Sequence, residues 1–226
     1  MARQSRKKDR NLIRRPQIRE AYDKVLIVCE GEKTEPFYFQ GLIKAEKLSS
    51  VNVQVDHVGS RSAPIHVIDR AIELTMEANK DANPEAHYDR VYCVIDRDEH
   101  STFNQAIQKI STANKQANSA LYYGVVSYPS FEYWYICHFE RNRGSMSSAV
   151  CERNANSLWQ NTFHEPYQKN NSEAYSKLRS KQADAISNAK FAIKDADETD
   201  QKNPSTNVHE LVEYLIGLKH SAARRS

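Results

Sequence analysis

Three carboxylates occupy positions where they could do chemistry together. Glu30 follows the apolar run Val25-Leu-Ile-Val-Cys29, and Asp96 and Asp98 close a second such run in the stretch VIDRDEH (94–100). Apolar runs without polar alternation mark strands covered on both faces, as in a parallel sheet. In an open parallel sheet the binding crevice lies beyond the carboxyl ends of the strands. Were these two strands neighbours, about 4.8 Å apart, the three acids would meet at one sheet edge and repel one another unless a cation lay among them. Oxygen-only ligands select hard divalent ions, and a few carboxylates that leave room for water suit Mg²⁺ or Mn²⁺ working on phosphate groups. Such an ion polarises a phosphoryl oxygen, and a second ion about 4 Å away would stabilise the leaving oxygen. Glu32 and Glu35, just past Glu30-Gly31, are candidates for that second position. Glu99 and His100 read as solvent-facing or capping residues.

The elements that must position these acids follow from periodicity. The first strand covers 24–29, and Thr34 is placed to cap a helix carrying Glu35 and Pro36 in its first turn and Phe37, Phe39, Leu42 and Ile43 behind. A second strand alternates over 51–58, and a helix over 65–79 carries Ile68, Ile72 and Met76. The third strand (89–95) ends in the acidic cluster, with Ser101 or Thr102 to cap the helix that bears Phe103, Ile107 and Ile110. A fourth strand (121–126) precedes a compact aromatic helix over 131–139, whose Phe131, Trp134, Ile136 and Phe139 read as core rather than as a platform for stacked bases. Strands alternating with helices predict an α/β fold with a mainly parallel four-stranded sheet flanked by helices. From 146 to 226 strand signals fade, one long polar helix is expected over 172–195, and Asn203-Pro-Ser-Thr206 opens a last one through Leu215. The domain reading is a basic arm over 1–20 and a single domain over 21–226.

Charge is unevenly placed. Residues 1–19 hold eight Lys and Arg against Asp9, leaving 24 basic and 28 acidic residues in the remainder of a chain whose net charge is +3. A cationic arm of Arg3, Arg6, Lys7, Lys8, Arg10, Arg14 and Arg15 suits a phosphate backbone, because each neutralised phosphate releases counterions. A solubilising tail is the other reading of the arm. The four cysteines are scattered and form no CxxC pair, which argues against a zinc site or a disulfide framework and for a reducing cytoplasm. No run approaches the ~20 apolar residues of a membrane span, and no leader precedes Val25, so a soluble cytoplasmic protein without a membrane partner is expected. With six glycines and neither GxGxxG nor GxxxxGKS, a nucleotide-cradling loop is not expected.

At Glu30-Gly31 and Asp96-Arg97-Asp98 the chain resembles the Toprim fold of topoisomerases, primases and OLD-type nucleases. The stretches CEGEKTEPFYF (29–39), VIDRDEH, SYPSFEYWYICHF (127–139) and NPSTNVHELV (203–212) together resemble the RloB-like family, over roughly residues 22–218. The resemblance implies a Mg²⁺- or Mn²⁺-dependent phosphodiesterase acting on DNA or RNA beside an ABC-class ATPase in anti-phage defence. Glu30, Asp96 and Asp98 would be its metal ligands, with Glu30 also available as general base. OLD-type nucleases show Glu-Gly-x-Thr-Glu, whereas here Glu32 and Lys33 separate Gly31 from Thr34, so Glu35 stands one residue out of that register.

Two further residues enter with the resemblance. Glu132, in the first turn of the aromatic helix, faces either the metal or the helix dipole. Lys169, in Tyr167-Gln-Lys169, either approaches a scissile phosphate and offsets transition-state charge or is a surface lysine. Competing functions are a conditionally silent or non-catalytic effector subunit released by the ATPase, and a haloacid-dehalogenase-like phosphatase with Asp96 as nucleophile. Against the latter, the acidic pair follows the third strand and His100 stands where a Thr is expected.

Overall fold

The computed structural model describes residues 23–48, 52–59, 63–97, 101–116 and 120–223. The basic arm lies outside these residues, as do Asp98, Glu99 and His100. Strands β1 (Val25–Cys29), β2 (Val53–His57), β3 (Arg90–Asp96) and β4 (Leu121–Tyr128) form the expected parallel sheet, in the order β2-β1-β3-β4. Helices α1 (Thr34–Ala45), α2 (Pro64–Ala78) and α3 (Phe103–Lys115) connect them. Thr34 and Thr102 cap neither α1 nor α3 with their side chains; Thr34 is already the first helical residue.

The apolar strands are buried because helices cover both sheet faces. Val25, Ile27, Cys29, Tyr92 and Val94 face one core, while Leu26, Val28, Val91, Cys93 and Ile95 face the other, built on α2 and α3. The first core also takes α1, the six-residue α4 (Glu132–Cys137), α5 (Ser148–Phe163), α6 (Ala174–Leu178), α7 (Gln182–Thr199) and α8 (Val208–Ala223). Phe131, Trp134 and Ile136 are buried in it, and Phe139 packs against it partly buried. All four cysteines are buried free thiols. Among the described residues no helix is long and apolar enough to cross a membrane.

Two elements differ from the sequence reading. The helix expected over 172–195 is two helices, broken by a 3₁₀ turn at Arg179–Lys181 and continued to Thr199. Its buried residues Tyr175, Leu178, Gln182 and Ala185 keep helical spacing through the break, so periodicity hides it; Arg179 instead reaches back to Glu46 at 2.7 Å. The sheet also has a fifth strand, β5, of only Ser205 and Thr206, antiparallel to β4.

Beyond β5 the outer edge of β4 is closed by side chains. Asn114 of α3 accepts from Tyr122 N–H at 2.7 Å and donates to its carbonyl at 2.8 Å. Asn207 accepts from Val126 N–H at 2.6 Å and donates to the Gly124 carbonyl at 3.0 Å. Stripping half-buried main-chain groups of their partners costs about 1 kcal/mol each. Asn207→Ala is therefore expected to lower stability by about 2 kcal/mol, seen as a lower urea midpoint at unchanged slope; an unmoved midpoint would mean that water replaces the amide.

Candidate metal-binding and active site

Strands β1 and β3 are direct neighbours, with Cys29 opposite Val94, so Glu30 and Asp96 emerge side by side at the carboxyl edge. The Glu30 side chain crosses to β3, where its Oε2 accepts from Asp96 N–H at 3.1 Å. Glu35, in the first turn of α1, folds back over the loop and accepts from Gly31 N–H at 3.2 Å. A Cβ at position 31 would stand 2.5 Å from Glu35 Oε2, so glycine is what lets this carboxylate lie against the loop. Glu132 enters from the start of α4, with Ser130 Oγ donating at 2.7 Å and Tyr167 Oη at 3.3 Å.

These side chains line one cleft of about 590 Å³, which gathers six carboxylates (Glu30, Glu32, Glu35, Asp96, Glu132 and Glu152) against Lys33 and Lys169. Glu30, Glu35 and Glu132 are only 5–6% exposed, which keeps water from screening them. Burial, then the charges of Glu35, Glu132 and Glu30, push the Asp96 carboxyl well above the usual carboxylate range. Burial and Glu132 likewise push Glu35 up to about 7, against the pull of backbone N–H groups and Lys169. The Phe131 backbone N–H pulls the Asp96 carboxyl the other way, while Asp96 Oδ1 is closed to solvent and has no hydrogen-bond partner among the described residues. Lys169 lies 3.0 Å from Glu152 and 3.7 Å from Glu132; burial works against its charge, but the two acids outweigh that and raise its pKa.

The sequence expectations meet this cleft unevenly. Glu30, Asp96, Glu35, Glu132 and Lys169 converge in it, and exposed Glu32 stands at its wall. Asp98 belongs to the segment outside the described residues. Glu152 was not anticipated: it sits mid-helix on α5 among Arg153 and Asn154, where nothing local distinguishes it from a solvated acid.

Among the described residues no three His, Cys, Asp or Glu side chains stand in the arrangement that would hold a metal ion. The donor chemistry nevertheless fits a hard divalent cation. The donors are oxygen only, they repel one another, and one buried carboxyl oxygen has no partner among the described residues.

Fold and cleft together define an α/β protein with a cleft of six carboxylates at the carboxyl edge of a parallel sheet. The family described as RloB-like protein matches residues 25–215, a span that includes every described acid of the cleft. The chain belongs to the RloB-like family. No significant match was found among curated proteins or among solved structures.

Proposed function

We propose that this protein is a metal-dependent phosphodiesterase that cleaves a nucleic-acid backbone, with Glu30, Asp96 and Asp98 holding Mg²⁺ or Mn²⁺. The observation that carries this reading is Asp96 Oδ1, a buried and unpartnered carboxylate oxygen in a group of mutually repelling acids at the sheet edge. When bound, the ion would polarise a phosphoryl oxygen and offset the negative charge developing there. Glu30, steadied by the Asp96 N–H, is placed to orient an attacking water and accept its proton. Glu35, titrating at about 7, can hold or release a proton beside it at neutral pH. Lys169 would offset charge on the phosphate. The arm of Arg3, Arg6, Lys7, Lys8, Arg10, Arg14 and Arg15 would add sequence-independent affinity for DNA or RNA. The Toprim resemblance supports nuclease chemistry, and with it an ABC-class ATPase as partner in anti-phage defence.

The test compares cleavage of DNA and RNA in Mg²⁺ and Mn²⁺ by wild type, Glu30→Gln and Asp56→Asn. Glu30→Gln should lose activity by about 10²–10³-fold, the scale of removing one transition-state stabilising group. Asp56, paired with Arg70 on β2 away from the cleft, should be dispensable. Equal rates in all three proteins would defeat the proposal.

A further inference from the structure

Lys169 brings a positive charge among the carboxylates that a divalent ion would need. Its ammonium bridges Glu152 of α5 and Glu132 of α4, at 3.0 and 3.7 Å. The chain leading to it is firmly attached. Glu165 accepts from Trp159 Nε1 and from Lys177. Tyr167 donates its N–H to Asn156 Oδ1 at 2.9 Å, and its ring packs against Tyr135 and Trp159. Past that anchor the contacts of the Lys169 side chain are ionic, and the side chain is half exposed. A flexible four-carbon stem on a fixed base can move its charge by several ångströms without disturbing the fold.

An ammonium and a divalent ion attracted by one set of carboxylates each weaken the other's hold, because like charges a few ångströms apart repel even where water screens them. Without its ammonium, Glu132 would add one more uncompensated charge to a cleft already crowded with acids. We propose that Lys169 is a built-in counter-ion of the cleft: loading of a divalent cation displaces it from Glu132, and the released ammonium turns to the cleft mouth to receive a substrate phosphate. Cation loading and phosphate capture are then coupled through one side chain, so that the resting cleft carries part of its own counter-charge and the loaded one gains a phosphate-binding arm. This inference rests on the metal-dependent reading of the same site.

The experiment measures Mn²⁺ binding by calorimetry, without nucleic acid, for wild type, Lys169→Met and Lys169→Arg. Lys169→Met should bind Mn²⁺ about tenfold more tightly than wild type, the effect of deleting one nearby, partly screened like charge. Lys169→Arg, which keeps the charge, should stay near wild type. In wild type, Mn²⁺ should also speed tryptic cutting after Lys169 several-fold, leaving cutting after the remote Lys80 unchanged. Equal or weaker Mn²⁺ binding by Lys169→Met overturns the counter-ion role while sparing the metal site, and unaltered cutting at Lys169 overturns its release. Failure of all three proteins to bind Mn²⁺ removes the metal reading itself, and this inference with it.

Discussion

Asp96→Asn is expected to yield a protein that is more heat-stable than wild type in the absence of metal and inactive in its presence. The amide can turn a donor toward the place where Oδ1 has no partner, among the neighbouring acids Glu30, Glu35 and Glu132. Replacing a buried unsatisfied carboxyl oxygen by an amide donor facing acceptor carboxylates recovers about 1–2 kcal/mol, or a rise in Tm of about 3–6 °C for a chain of this size. The same change removes one of the proposed metal ligands, so Mn²⁺ should raise the variant's Tm far less than that of wild type, and cleavage should fall to background. Thermal scans with and without Mn²⁺ read both effects. A lower metal-free Tm would mean that Asp96 holds the fold together rather than waiting for a cation, and the site assignment would fall with it.

The second large effect is a dependence on pH carried by Glu35. Its carboxyl is raised from 4.5 to about 7 in the folded chain, by burial first and by Glu132 next. Between those values the folded state holds a proton that the unfolded state has lost. The associated stability is therefore complete below about pH 4.5 and disappears as pH rises through 7, a change on the order of 3 kcal/mol. His138 acts in the opposite sense. Burial holds its imidazole down at about 4, so the folded state resists a proton that the unfolded state takes up below about 6.5, and stability grows with pH in that range. The two slopes oppose each other in wild type, so a simple stability profile would conceal both. The informative quantity is the difference between Glu35→Gln and wild type in metal-free urea titrations from pH 5 to 8. That gap should widen in favour of the variant as pH rises, and saturating Mn²⁺ should narrow it by stabilising wild type. A gap independent of pH would show that Glu35 titrates as an ordinary surface acid.

What could be read in the sequence was what lies along the chain. The unbroken apolar runs before Glu30 and Asp96 announce strands covered on both faces, and the alternation of Val25, Ile27 and Cys29 with Leu26 and Val28 between two cores is their physical counterpart. Glu30 and Asp96 were therefore legible as a pair 66 residues apart. Glu152 was not, because its significance comes from α5 packing beside α4, a contact that no local spacing encodes. The same holds for β5, since two residues carry no periodicity, and for the break at Arg179, where the buried side chains keep their phase. Lys169 stood between these cases: its surroundings matched a family pattern, but only the positions of Glu132 and Glu152 draw it out of the category of surface lysines.

The two asparagines along β4 have a consequence beyond the hydrogen bonds they make. A sheet edge with free main-chain groups is a template on which another chain can crystallise its own strand, and proteins ordinarily guard it with charge, proline or a covering element. Here the guard is a pair of amides that mimic the missing neighbour's backbone, one lent by α3 and the other by the residue immediately after β5. Along this margin protection against stray strands is thus written into two side chains, and it leaves the carboxyl edge, where the acidic cleft lies, uncovered.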